Sequence, residues 1–286
     1  VVKAYGLAAG KGVVVANTRK EAVDAAERML IKKEFNSAGQ RIIVEEYLSG
    51  REASIMVITD GETIVPLASS QDHKRAYDGD SGPNTGGMGA FSPTPVIGKS
   101  EYEEIMEKII KPTIQGLKRE RIDYRGVLYA GIMMTSSGPK VLEYNVRFGD
   151  PETQVILPRI KSDFAELLMN TATGNLAGTE IEWEDSECVC VVIAAEGYPG
   201  EYEKGREVSG IIEAMETQAI IFHAGTKYDG DRLVTSGGRV MNVVGKGPDI
   251  RQATERAYRG ASRICFEGAW YRNDIGEREP SEVRNF

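Results

Sequence analysis

The chain has 286 residues, an apolar fraction of 41%, a charged fraction of 27% and a formal net charge of −8. That length allows two or three compact domains, each with its own core, and the composition is that of a folded globular protein. The acidic excess argues against a nucleic-acid partner, whose phosphate backbone calls for a positive surface. No stretch approaches the roughly 18 apolar residues of a membrane span, and no signal segment opens the chain, so the expected location is the cytoplasm.

In chain order, residues 1–16 read as strand, glycine loop, strand. A helix follows to Leu30, with Thr18 and Glu21 in capping-box spacing and Val23, Ala26 and Leu30 at helical intervals. Strands are expected over 42–48 and 52–59, with Asp60-Gly61 turning into a strand over 63–68. Residues 69–98 read as a long polar loop rich in Gly and Pro, of the kind that usually carries function. A helix over 99–120 precedes strands over 127–134 and 140–146, joined at Ser136-Ser137-Gly138. A helix over 163–173 leads into a composition change at 174–185. Beyond it come strands over 188–194, 220–224 and 239–244 and a helix from Pro248 to about Ile264. The expected domains are therefore 1–62, 63–185 and 186–286. Val1 opens inside an apolar strand without an initiator Met, as if the chain were the later part of something longer. Cys188, Cys190 and Cys265 are odd in number and lack zinc-finger spacing, so reduced structural thiols are expected, the first two on one face of a strand.

Chemistry concentrates in four places. At the end of the strand over 140–146, Glu143 and Asn145 stand two apart and so point to one face, offering two oxygen ligands to a hard cation such as Mg²⁺; Arg147 follows where the strand meets a loop. Read alone, Glu-x-Asn is also what a solvated strand end carries. The loop Gly6-Leu7-Ala8-Ala9-Gly10-Lys11-Gly12 lets backbone N–H groups close on phosphate. It is neither a Walker A loop, since Gly12 replaces the Ser or Thr after the lysine, nor a dinucleotide fingerprint, since Val15 replaces the last glycine. Lys3 and Lys11 together could grip one polyphosphate. Gln71-Asp72-His73-Lys74-Arg75 with the glycine ribbon from Gly82 to Ala90 suits a phosphate-bearing substrate. Glu45-Glu46-Tyr47-Leu48 and Glu52 form an acidic strand exit, which could bind adenine and ribose or simply be an exposed edge.

Taken in order, the run from Val1 to Gly12, Gln71-Asp72-His73-Lys74-Arg75, Gly82-Pro83-Asn84-Thr85-Gly86-Gly87-Met88-Gly89-Ala90 and Glu143-Tyr144-Asn145-Val146-Arg147-Phe148-Gly149-Asp150-Pro151-Glu152-Thr153-Gln154 resembles the phosphoribosylamine–glycine ligase (glycinamide ribonucleotide synthetase) family. The likeness continues through Phe222-His223-Ala224-Gly225-Thr226 and Thr235-Ser236-Gly237-Gly238-Arg239-Val240 to about Gly276. It implies an α+β, ATP-grasp fold, two α+β subdomains closing on ATP and followed by a small strand-rich C-terminal domain. It also implies a ligase of purine biosynthesis that joins glycine to 5-phosphoribosylamine through glycyl phosphate, using ATP with Mg²⁺ or Mn²⁺.

Carried over, the resemblance assigns ATP to Lys3, Gly10, Lys11, Gly12, Glu45, Leu48 and Glu52, and the metal to Glu143 and Asn145. Asp72, Lys74, Arg75, Asn84 and Asp150 would line the glycine and ribosylamine sites, with Arg147, Lys11 and Asp72 closest to the chemistry. Family members ordinarily have an N-terminal domain before the point where this chain begins, which is the expected partner. They usually carry Asp where Tyr5 stands, and many ATP-grasp enzymes take a metal carboxylate from the preceding strand, whereas 126–135 holds no acid. Two other readings stay open: a nucleotide-binding module without turnover of its own, and a carboxylase or kinase of the same fold. The motifs at 71–75 and 82–90 favour the ribosylamine ligase over the latter.

Overall fold

In the computed structural model the described residues are 1–6, 8 and 12–277. Residue packing divides them into two compact units, Val1–Ser49 with Asn84–Gly86, and Gly50–Pro83 with Gly87 onward. In the first unit, β1 (Val2–Ala4) lies between β2 (Val13–Val14) and β3 (Ile42–Val44) in an antiparallel sheet. Helix α1 (Arg19–Leu30) begins where Thr18 Oγ1 accepts from the Glu21 amide at 3.2 Å, the cap expected from the sequence. Its Ala25 and Met29 pack on Val2, and among the described residues these three form the buried apolar core of this unit. The strand expected over 42–48 stops at Val44, which pairs with Val2 at the end of β1; Ile43 and Val44 are exposed.

The second unit opens with β4 (Arg51–Thr59), which turns at Asp60-Gly61 into β5 (Ile64–Pro66). Asp60 Oδ1 accepts from the amides of Glu62 (3.1 Å) and Thr63 (2.7 Å), which fixes the turn. The expected loop over 69–98 contains four short strands: β6 (Gln71–Asp72), β7 (Arg75–Tyr77), β8 (Ser81–Asn84) and β9 (Gly89–Ser92). Its Gly and Pro content concealed a short buried run, Met88 to Ser92, whose strand partner lies about a hundred residues further on. The long helix is α2 (Lys99–Ile105), a π-helical turn (Met106–Ile110) and α3 (Lys111–Arg119); Pro112, which has no N–H to give, sits just after the widened turn. Strands β10 (Gly126–Thr135) and β11 (Gly138–Asn145) then complete a four-stranded antiparallel sheet in the order β11-β10-β4-β5.

After α4 (Glu152–Ile156) and α5 (Phe164–Thr173), β12 (Glu187–Ala195) starts the C-terminal part, with α6 (Ile211–Glu216), β13 (Ile220–His223), the β14 (Thr226–Asp229) and β15 (Arg232–Thr235) hairpin, β16 (Arg239–Gly247), α7 (Ile250–Ala261) and β17 (Ala269–Trp270). Its sheet runs β13-β16-β12-β9-β6, with β17 also on β12, so the chain's middle supplies two strands to a sheet built mostly from its end. The unit is layered. Ala53, Ile55, Val57, Leu128 and Ala130 face α2 and α3. Met56, Ile58, Val127 and Tyr129, on the opposite face, share a core with Cys188, Cys190 and Val192. Val189, Val191 and Ile193 face α7. Strand β12 is buried on both sides, which is why it reads as an unbroken apolar run. Cys188 and Cys190 are free and buried on one face, as expected, and burial pushes the Cys188 thiol up to about 12. No helix among the described residues is long and apolar enough to cross a membrane.

Helix α7 reaches β16 closely because Gly245 faces Ala253: a Cβ on Gly245 would lie 2.0 Å from the Ala253 carbonyl oxygen. Gly245→Ala should therefore cost about 2 kcal/mol through overpacking. Urea denaturation checks this, and an unchanged midpoint would refute the close approach.

Candidate active site

Strand β11 sets the first pair of site residues. Gly131 pairs with Glu143 but Ile132 pairs with Val141, so Leu142 is the extra residue of a β-bulge. Without it Val141 and Glu143, two apart, would share a face. With it, Val141 packs beside Ile132 in the helix-side core while Glu143 turns to the face that carries Tyr129. Glu143 and Asn145 then meet, the Asn145 Nδ2 donating to Glu143 Oε1 at 3.3 Å, and Arg147 Nη2 donates to Asn145 Oδ1 at 3.2 Å. The opposing residue on β10 is Gly131, so no side chain stands across from Glu143.

Strand register places Ser54 beside Gly131, and therefore in one row with Glu143, and Glu52 two residues earlier on the same face. Lys74 Nζ donates to Glu52 Oε2 at 2.7 Å. Burial works against the charge on Lys74, but Asp72 and Glu52 outweigh it and hold the ammonium above its ordinary range. Asp72, half-buried, is pushed up to about 7: desolvation raises it, Lys74 opposes, and Glu152 and Glu52 add repulsion. Below this surface Glu152, 3% exposed, accepts from Ser54 Oγ at 3.3 Å and from the Tyr129 hydroxyl. Burial, then the charges of Glu152 and Asp72, raise the Tyr129 phenol, so it remains a donor.

The structure thus brings Glu52, Asp72 and Lys74 together, and Glu143, Asn145 and Arg147 together. Asp150 lies elsewhere in the network: its carboxylate and carbonyl accept from Arg239 at 3.2 and 2.9 Å. Arg75 is exposed and donates to the Gly82 carbonyl at 2.8 Å, and Asn84 is exposed on β8. Within the first unit, Lys3 pairs with Glu45 at 2.6 Å and Leu48 is half-buried. Gly10 and Lys11 lie outside the described residues. Gly12 lies tight against Ala4 and Ala8, where a Cβ would come within 2.9 and 2.7 Å, so the end of the glycine loop has a packing reason for its residue type. Tyr5 is solvent-exposed, with the Arg41 guanidinium 5.9 Å from its ring centre.

Sequence reasoning passed over Ser54, Tyr129 and Glu152 as site residues. Ser54 and Tyr129 sit in apolar strands and betray themselves only as polar groups on the inner face, while Glu152 stood in the motif from Glu143 to Gln154 with no role assigned to it.

Among the described residues no cluster of three or more His, Cys, Asp or Glu side chains could hold a metal alone. Glu143 and Asn145 nevertheless carry oxygens of the kind a hard cation takes: they adjoin and Glu143 is exposed, while the Asn145 amide as placed turns Nδ2 to Glu143 and its Oδ1 accepts from Arg147. Such a two-ligand site suits Mg²⁺, which keeps waters and takes its remaining ligands from substrate phosphates.

These layers and this edge of charged residues define an ATP-grasp protein. The fold alone is shared with the biotin carboxylase domain of a 2-oxoglutarate carboxylase from Hydrogenobacter thermophilus, at a TM-score of 0.67 and 14% identity over 94% of this chain and 57% of that one. The model of the phosphoribosylglycinamide synthetase ATP-grasp (A) domain matches residues 1–153 and that of the C domain residues 188–278, and the chain belongs to the phosphoribosylglycinamide synthetase family. It is 50% identical over 275 residues to the phosphoribosylamine–glycine ligase of Caldanaerobacter subterraneus, covering 96% of this chain and 66% of that protein. The crystal structure of the Thermotoga maritima phosphoribosylamine–glycine ligase superposes with a TM-score of 0.87 at 37% identity, covering 96% of this chain and 68% of that one. The chain spans 64–66% of the length of the first four curated relatives it matches.

Because the folded-state pKa of Asp72 is raised above the unfolded value, ionising it costs stability. The cost is absent below the ordinary carboxylate pKa, grows between about 4 and 7, and is complete above that. Asp72→Asn should therefore melt increasingly above the parent as pH rises from 5 to 8. Melting curves across that range test it, and parallel profiles would remove the raised pKa.

Proposed function

We propose that this chain carries the ATP-dependent ligation of glycine to 5-phosphoribosylamine through a glycyl phosphate intermediate, yielding glycinamide ribonucleotide, ADP and phosphate. The observation that carries the reading is the juxtaposition of the Glu143, Asn145 and Arg147 group with the Glu52, Lys74 and Asp72 group on one strand-built surface, in a family defined by this synthetase. A carboxylate does not acylate an amine unaided, so the glycine carboxylate oxygen first attacks the γ-phosphorus and ADP departs. The ribosylamine nitrogen then attacks the acyl carbon and the bond to phosphate breaks. Such chemistry asks the protein mainly for alignment and charge neutralisation.

In this reading residues 1–62 form the lid subdomain, 63–185 the part holding metal and acceptors, and 186–286 the C-terminal domain. Lys3 and Lys11 neutralise ATP phosphates, with Gly10 and Gly12 lending backbone, while Glu45 and Leu48 meet adenine and Glu52 the ribose hydroxyls. Glu143 and Asn145 hold Mg²⁺ or Mn²⁺. When bound, that ion supplies positive charge to the phosphoryl oxygens. Arg147, fixed by its bond to Asn145, steadies the transferred phosphoryl group. Asp72, with a pKa of about 7, takes the proton that the amine loses, and Lys74 shields the incoming anion from the surrounding carboxylates. Lys74, Arg75, Asn84 and Asp150 line the acceptor sites, the last as an anchor through Arg239. The setting is the cytoplasm.

ADP release by this chain with Mg-ATP is the direct test. Release that needs glycine and ribosylamine together establishes the ligation; no release from a folded chain that binds ATP leaves a nucleotide-binding portion. Where release occurs, Glu143→Ala should lower turnover more than about tenfold, or about 1.4 kcal/mol of barrier. A smaller loss would remove Glu143 as the metal ligand.

A further inference from the structure

The β7 and β8 hairpin is held by residues almost two hundred positions later. Arg272, 1% exposed, donates through Nη1 to the Arg75 carbonyl at 3.0 Å and to Asp80 Oδ1 at 2.8 Å, and through Nε and Nη2 to the two oxygens of Asp274 at 2.7 and 2.6 Å. Asn273 gives its backbone N–H and its side-chain amide to the Asp78 carboxylate at 2.8 and 3.0 Å. The Gly79 amide donates to Asp274 Oδ2 at 2.9 Å. Beside these bonds, the Tyr77 and Trp270 rings lie 5.7 Å apart. The later segment is anchored in turn: Tyr258 Oη donates to the Arg272 carbonyl at 2.8 Å and accepts from the Ile275 amide at 2.9 Å, and Ile275 is fully buried.

A buried guanidinium is a poor way to gain stability, since apolar packing of the same volume often does as well; what it supplies is geometry. Here its bonds lead to the hairpin, joining the carbonyl of β7 to the residue that closes the turn. Asp80 sits at φ +49°, a conformation that a non-glycine residue holds only when its surroundings impose it. The same carboxylate oxygen lies 3.8 Å from His73 Nδ1, which places the turn beside the segment that carries Asp72 and Lys74.

We propose that Arg272, Asn273 and Asp274 form a strap that positions this hairpin as the arm receiving the anionic, phosphate-bearing substrate, with Arg272 as the positioning residue for Arg75. The inference rests on the substrate role given to Lys74 and Arg75 above. In a family with a separate C domain, it makes the end of that domain part of the acceptor site's construction.

The test uses the whole chain, with ribose 5-phosphate as probe. Its dissociation constant and that of Mg-ATP are measured by calorimetry, and amide exchange is followed over residues 75–82. Two variants are compared, Arg272→Lys and Asp78→Ala; the second removes the Asn273 bonds from the exposed turn and leaves the buried guanidinium intact. Both should speed exchange in the hairpin and weaken the probe by about tenfold, with Mg-ATP held within about twofold. Faster exchange with unchanged probe affinity would reduce the strap to a stabilising contact and overturn the proposal, as would unchanged exchange in both variants. A parent chain that binds Mg-ATP and not the probe overturns the substrate reading itself, and the strap's role with it, a failure visible before any variant is made.

Discussion

Strand β4 is covered on both faces along most of its length, by α2 and α3 on one side and by the second sheet on the other, and the placement of the site follows from that double burial. Met56 and Ile58 lie in the inter-sheet core with Cys188, Cys190 and Val192. Two and four residues nearer the strand's start, Ser54 and Glu52 belong to the same face, and there the neighbours change from apolar side chains to Lys74, Tyr129 and Glu152. Close packing makes the apolar part of this face rigid. The polar end inherits that rigidity.

Much of this was legible in advance. The apolar runs beside the turn signals at Asp60-Gly61 and Ser136-Ser137-Gly138 located the four strands, though not their joining into one sheet, and Glu143 and Asn145 announced a shared face by spacing alone. Three things were not legible, for distinct physical reasons. The Leu142 bulge decides which face Glu143 takes, yet nothing local marks it, because it reflects the competing demands of Val141 for the helix-side core and Glu143 for the open one. Strands β6 and β9 lie in a stretch rich in Gly and Pro, residues that usually punctuate strands, and only pairing makes them strands, β9 with β12 far along the chain and β6 with β9. Ser54 and Tyr129 disappear into apolar strands until register shows that they meet Glu152.

The charges of the second unit's site form a connected balance rather than separate ion pairs. Lys74 faces Asp72 and Glu52, Asp72 feels Glu152, and Glu152 is satisfied by two hydroxyl donors instead of a cation. Neutral donors can stabilise a buried carboxylate without cancelling its field, so Glu152 continues to act on its neighbours. The result is an acidic surface with one strongly retained ammonium, to which a phosphate-bearing ligand would come more readily with a divalent cation than without one.

The order in which these parts can form has a consequence for the site. Local hairpins such as β4 with β5 and β10 with β11 join residues near in sequence, whereas β9 with β12 and the hairpin with Arg272 close spans of about a hundred and two hundred residues. Closing such spans costs entropy before any contact repays it, so they form late. Glu143 and Asn145 lie on β11, in a hairpin with β10 that is local in sequence. The segment with Asp72, Lys74 and Arg75 belongs to the late part, since β6 is laid against β9 and β9 against β12. Because Met56, Ile58, Val127 and Tyr129 share their core with Cys188, Cys190 and Val192, the sheet that carries Glu143 and Asn145 also depends on the C-terminal part for the burial of one face, and the two groups of charged residues are coupled through that core.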